Sequence, residues 1–208
     1  MRKRAVLTIA VFGVTAVLAA SVGVGRANAL LGLGGNCSTT TSQPFTAWND
    51  SASYYLVPNG GLENGSTGWS LSGGASVVYG NEPFLPTGFH SLSLPSGSQA
   101  VSPVVCIGPK DPVLRMFVED NGGTDKGLHV RVYWYGLLNI LLGSSDYETF
   151  QPGVAWSPSS QVPTVGGVNL LIPLLGSTSA RIVLTPLGSG SAWNVDDLYI
   201  DPLASRCC

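Results

Sequence analysis

A chain of 208 residues with only 11 % charged side chains, 27 glycines and 14 prolines excludes two broad classes. Helical bundles need abundant Glu, Lys, Leu and Ala, and disordered chains need more charge, so one folded domain of short strands and many turns is expected. The formal net charge is −2, but four of the ten basic residues (Arg2, Lys3, Arg4, Arg26) lie in an N-terminal leader, which leaves six against twelve acidic and a net of −6.

That leader has a basic start at Arg2-Lys3-Arg4, an uncharged apolar run over 5–25, and the small-residue site Ala27-Asn28-Ala29. Such an arrangement is a secretory signal over residues 1–29, cleaved after Ala29, with an uncleaved membrane anchor as the other reading of the same run. Export predicts a secreted protein of the extracellular space or cell wall, with no membrane association once the signal is removed. The acidic mature surface repels phosphate backbones and anionic lipid, so no nucleic-acid partner is expected. In an exported chain the four cysteines, Cys37, Cys106, Cys207 and Cys208, read as disulfides. A bond between Cys207 and Cys208 would close a strained ring. The favoured pairing therefore ties Cys37 to one of them and Cys106 to the other. Closing so long a loop contributes about 4–5 kcal/mol in the chain-entropy model.

Residues 30–55 read as an irregular lead-in, with Phe45 and Trp48 as anchors covering one end of the core. The folded domain proper is expected over 56–208. It opens on the turn-rich run Asn59-Gly60-Gly61-Leu62-Glu63 and reaches Trp69. Strands are expected at 75–79 after the Gly73-Gly74 turn, at 91–94, and over 100–107, where Pro103 suggests an edge position. The residues 80–88 between the first two read as a long surface loop.

The alternation is clearest in the middle of the chain. Over 113–119, Leu114, Met116 and Val118 share one face, and Arg115, Phe117 and Glu119 the other. Over 128–135, Val130, Val132 and Trp134 point inward, and His129, Arg131, Tyr133 and Tyr135 outward. A tight turn near Asn139 leads to a strand including 147–150. Residues 151–167 should wrap the surface, and the apolar segment 170–175 should be buried. A strand over 181–185 puts Ile182 and Leu184 on one face and Arg181 and Thr185 on the other. The last strand, 193–200, carries Asp196 and Asp197. Eight to ten such strands without an amphipathic helix describe an all-β sandwich or jelly roll.

The order Asn59-Gly60-Gly61-Leu62-Glu63, Gly68-Trp69, Ser91 to Leu94, Trp193 and Asp196-Asp197-Leu198 resembles calcium-containing jelly-roll carbohydrate-binding modules of the galactose-binding-like superfamily. The chain is also similar to a group of secreted bacterial proteins of this fold, which share the Leu71-Ser72-Gly73-Gly74-Ala75 and Gly80-Asn81-Glu82-Pro83-Phe84 runs. The resemblance implies one structural calcium ion held by Glu63 and Asp197, with Asp196 as the alternative ligand. It also implies a polysaccharide or glycan partner.

The residues themselves suggest where a glycan would lie. If the central strands share one sheet, Arg115, Phe117, Glu119, Arg131, Tyr133, Tyr135 and Arg181 line its outer face. Flat aromatic rings stack on sugars while guanidinium and carboxylate groups bond hydroxyls. An ordinary solvent-facing sheet would show the same alternation, and a face that meets another protein, in a structural or adhesion role, is the alternative function. No nucleophile elbow, zinc-protease motif, P-loop or dinucleotide fingerprint is present. A glycosidase needs only two spaced carboxylates, for which Glu82, Glu119 and Asp120 are the candidates. The expectation is a non-enzymatic domain.

Overall fold

The computed structural model describes residues 40–86, 88–106, 113–122, 127–135, 139–149, 155–164 and 179–201. The leader, Cys37, Cys207, Cys208 and the apolar segment 170–175 lie outside the described residues. Cys106 is described only as the backbone end of a strand.

Thirteen strands are found among the described residues, with one 3-10 turn at Thr46–Trp48 and no α-helix. They are β1 (Tyr55–Leu56), β2 (Ser70–Ser72), β3 (Ser76–Tyr79), β4 (His90–Pro95), β5 (Gln99–Val101), β6 (Val105–Cys106), β7 (Val113–Asp120), β8 (Leu128–Tyr135), β9 (Leu141–Thr149), β10 (Ser157–Pro158), β11 (Val162–Pro163), β12 (Ser179–Pro186) and β13 (Ala192–Asp201). They build two antiparallel sheets. The first runs β10-β7-β13-β4-β3, with β1 also on β13 and β11 on β7; the second runs β2-β5-β12-β8-β9, with β6 on β12. The chain passes between the sheets repeatedly instead of completing one first, which makes this a jelly-roll sandwich.

The core lies between the sheets and follows the alternation of each strand. Leu114, Met116 and Val118 of β7 meet Val130, Val132 and Trp134 of β8 and Ala180, Ile182 and Leu184 of β12 in one buried cluster. Side chains two residues apart share a face, so three apolar residues per strand suffice to hold each sheet onto the other. The expected 100–107 strand is instead two short ones. Its first half, β5, is flanked by β2 and β12, so it is not an edge.

A second apolar cluster lies on the far side of the first sheet. Phe45, Tyr54, Val113, Phe117 and Tyr199 are buried there, with Trp48, Leu85 and Trp156 packed against them. The lead-in therefore covers the outer face of a sheet, and not one end of the core. Phe45 meets Tyr54 edge-on at 5.0 Å and Phe117 at 5.2 Å. Arg115 is drawn into this cover. Its guanidinium lies 4.2 Å over the Phe45 ring, bonds the Asp50 carboxylate at 2.5 Å, and donates twice to the Ser159 carbonyl at 3.1 and 2.9 Å.

The seven-residue ligand face inferred from sequence is thus divided. Arg115, Phe117 and Glu119 stand on β7 in the first sheet, whereas Arg131, Tyr133, Tyr135 and Arg181 stand on β8 and β12 in the second. Alternation shows which residues of one strand share a side, but not which strands share a sheet. Phe117 is 0 % exposed, and Glu119 accepts a bond from Asn194 Nδ2 at 3.2 Å.

Candidate functional site

Besides the Asp50–Arg115 pair, polar side chains gather among the described residues at a seam where the 59–69 run meets β13 and in a cleft on the outer face of the second sheet. The seam begins with Asn59, whose side chain organises its own loop. Nδ2 donates to the carbonyls of Gly65 and Thr67 at 2.8 and 3.0 Å, while Oδ1 accepts from the Asn64 N–H at 3.1 Å. The Trp69 indole closes the loop by donating to the Asn59 carbonyl at 3.0 Å. Backbone bonds then fasten it to the last strand: Val57 N–H donates to Leu198 O at 2.9 Å, and Leu198 N–H donates to Gly60 O at 3.3 Å.

Opposite this loop β13 contains a bulge. Its pairing with β7 shifts between Asp196 and Tyr199, and Asp197 takes the left-handed conformation with φ 47°. One extra residue there lets Val195 and Leu198, three apart, both face the core. The bulge brings the Asp197 side chain against the loop backbone. A Cβ on Gly60 would fall 2.8 Å from the Leu198 carbonyl oxygen, a backbone atom, and one on Gly61 2.7 Å from Asp197 Oδ1, which it would displace.

Glu63, Asp196 and Asp197 are all brought to this seam. Glu63 Oε1 accepts the N–H groups of Phe89 and His90 at 2.7 and 2.9 Å, and Oε2 lies 3.3 Å from His90 Nδ1. Burial opposes ionisation of Glu63, but these bonds outweigh it and hold its carboxyl below the ordinary range. Asp196 accepts from the Asp197 N–H at 2.7 Å and from the Glu82 N–H at 3.2 Å. Asp197, 7 % exposed, has no hydrogen bond to its carboxylate among the described residues. Burial, then the charges of Glu82 and Glu63, push it up to about 7. Burial, then Asp197, push Asp196 up to about 8.

Glu82 belongs to this seam as well, which sequence reasoning missed. The residues 80–88 were read as a surface loop, yet Glu82 is 1 % exposed. Its carboxylate accepts the N–H groups of Phe84 and Leu85, while burial raises its proton affinity. The signal was the Asn81-Glu82-Pro83 turn chemistry: a carboxylate bonding N–H groups two and three residues on folds a loop onto its own acid. Among the described residues, no three His, Cys, Asp or Glu side chains stand close enough together to enclose one ion by themselves.

The cleft is open to solvent, has a volume of about 410 Å³, and crosses β5, β12 and β8. Arg131, Tyr133, Tyr135 and Arg181 all line it, joined by Gln99 and His129. Register explains the grouping. Arg181 lies opposite Tyr133, Val183 opposite Arg131 and Thr185 opposite His129 on neighbouring strands. Arg131 bonds the Tyr133 hydroxyl at 3.1 Å and pairs through Nε with Asp146 on β9. The hydrogen bond to Asp146, then that to Tyr133, keep Arg131 firmly protonated. His129 Nε2 is 3.3 Å from the same carboxylate. Arg181 bonds the Ser102 carbonyl at 3.2 Å. The glycosidase candidates do not gather: Glu82 lies in the seam, while Glu119 and Asp120 sit near the end of β7, where Asp120 accepts the Gly122 N–H at 2.9 Å.

No protein-family model matches the chain, and no curated protein matches it by sequence. Solved structures match in shape. The CBM22-1 xylan-binding domain of Paenibacillus barcinonensis Xyn10C is similar over 74 % of this chain and 94 % of its own, at 14 % identity and a TM-score of 0.46. TmCBM61, solved with beta-1,4-galactotriose, is similar over 70 % of this chain and 96 % of its own, at 16 % identity and a TM-score of 0.43. The enzymatically active domain of bacteriophage CBA120 tailspike protein 4 is similar over 70 % of this chain at 14 % identity and a TM-score of 0.49, and the chain spans 21 % of its length. Carbohydrate-binding modules recur among the structures this chain is similar to.

Proposed function

We propose that this protein is an exported, non-catalytic domain that binds extracellular or cell-wall carbohydrate across the outer face of its second sheet. The observation that carries the reading is the cleft itself, in which two tyrosines and two arginines stand on adjacent strands. A phenol ring offers an apolar platform to a sugar face, and guanidinium and carboxamide groups bond hydroxyls at its rim. The test is a polysaccharide pull-down and glycan array with the chain from residue 30 onward. Tyr133→Ala and Arg131→Ala should each weaken binding at least tenfold without changing the melting temperature by more than a few degrees. Unaltered binding in both would remove the cleft as the site. No retained glycan of any class, with self-association of the domain, would favour an adhesion role instead.

A structural calcium ion at the seam belongs to the same proposal, and the donors fit a hard cation. Among the described residues Asp197 offers a buried carboxylate without a hydrogen bond, Gly61 puts no Cβ beside its Oδ1, and Glu63 is coupled to it by charge. Calcium accepts backbone carbonyls alongside carboxylates, so it does not need three acids around it. Bound there, it would neutralise the seam and pin the 59–69 loop to β13. Export is tested separately: mass spectrometry of protein recovered from culture medium should show a chain starting at Leu30.

A further inference from the structure

Charged groups are distributed unevenly over this molecule. Among the described residues the only Lys or Arg side chains are Arg115, Arg131 and Arg181. Arg115 is buried and held by the Asp50 carboxylate and the Ser159 carbonyl. Both others line the same cleft, and among the described residues no acidic side chain lines it with them. In a chain with twelve acids against ten bases, this is a local reversal of sign.

The two arginines differ. Arg131 is neutralised by Asp146, which stands on the neighbouring strand β9 and also approaches His129. Among the described residues Arg181 has no carboxylate within ion-pairing distance, and the one hydrogen bond it makes to them goes to a neutral carbonyl. A guanidinium has five N–H donors in a planar fork, so most of its donors remain for a ligand. It sits directly across from Tyr133 on β8, placing a surplus positive charge beside an aromatic platform.

Resting on the reading of this cleft as a glycan site, we infer that its ligand is an anionic saccharide whose ring carboxylate meets Arg181. A uronic acid presents that carboxylate on C5, in the plane of the ring and at its edge. A sugar stacked against Tyr133 would direct it sideways to the strand that carries Arg181. Charge-assisted, forked pairing of guanidinium with carboxylate is stronger than any bond a neutral hydroxyl makes there. A neutral sugar would offer the Arg181 guanidinium only hydroxyl acceptors.

The test compares uronate oligosaccharides (polygalacturonate, glucuronan and alginate) with their carboxyl-reduced counterparts, which keep the backbone linkage and lose the charge. Calorimetry should show at least one uronate binding ten or more times tighter than its reduced form, with affinity falling as NaCl is raised from 50 to 500 mM. Arg181→Gln should remove that preference, bringing a uronate and its reduced form to equal affinity, and Arg181→Lys should retain part of it. The comparison on the unmodified protein needs no variant, so it stands even if a substitution at β12 harms folding. Equal binding of acidic and reduced forms, or binding of neither while another glycan of the array is retained, overturns this inference and leaves carbohydrate binding intact, whereas no retained glycan of any class overturns both. Binding of dextran sulfate without any uronate also overturns it, assigning Arg181 to sulfate.

Discussion

Asp197 concentrates the tension of the molecule in one side chain. It adopts a left-handed backbone at a bulge, its carboxylate is buried, and its nearest ionisable neighbours are acids. Burial and those neighbours lift Asp197 to about 7 and Asp196 to about 8, from ordinary values near 4. A group whose proton affinity is higher folded than unfolded contributes stability that is complete below the unfolded value and lost as pH rises through the folded one. With chelator present, the melting temperature should therefore fall steadily between about pH 4 and pH 8. Asp197→Asn should flatten that slope and, in chelator at pH 8, melt several degrees above the unmodified protein. A steeper slope in the variant would contradict the assignment. Gly61→Ala tests the same contact from the other side: a Cβ 2.7 Å from Asp197 Oδ1 must displace it. The expected loss is about 1–3 kcal/mol by overpacking, read from denaturant unfolding.

The lead-in and β7 show how one strand can carry two different faces, both covered. Leu114, Met116 and Val118 go to the core, while Arg115 and Phe117 go beneath residues 45–54. The polar centre of that cover is the Asp50–Arg115 pair, its side chains 11 % and 9 % exposed. Burial alone would raise Asp50, but hydrogen bonds from Tyr54, Ala52, Arg115 and Gln161 outweigh it and hold the carboxyl below its usual range. Removing one partner of a buried pair strands the other. Asp50→Ala should cost about 3 kcal/mol, and the double change with Arg115→Met should recover much of it. Additive losses in that cycle would mean that the two side chains act separately. This cover explains why Arg115 and Phe117 are not available on an outer face despite their outward alternation.

At the scale of the whole molecule, the sandwich places its two polar sites on different parts of the structure. The seam ties an early loop to the last strand, whereas the cleft crosses the middle of the second sheet. A cation at the seam should therefore act on stability and leave ligand affinity nearly unchanged. Chelator at pH 8 should lower the melting temperature by several degrees, and calcium should restore it more effectively than magnesium, which demands a tighter octahedral shell. An unchanged midpoint would remove Glu63 and Asp197 as ligands.

Local pattern sufficed for everything that depends on period two. The inward residues of β7, β8 and β12 and the all-β class could be read from residue order, because each strand's faces are set by its own covalent geometry. Strand partnership was settled by the tertiary structure, since hydrogen-bond pairing joins residues far apart in the chain. It assigned Arg115 and Phe117 to one sheet and Arg131, Tyr133, Tyr135 and Arg181 to the other, and laid Phe45 across a sheet face. It also folded Glu82 under its loop and inserted the bulge that aims Asp197. A single residue of slippage reverses every side chain beyond it, and only packing against the opposite layer can choose where that slip occurs.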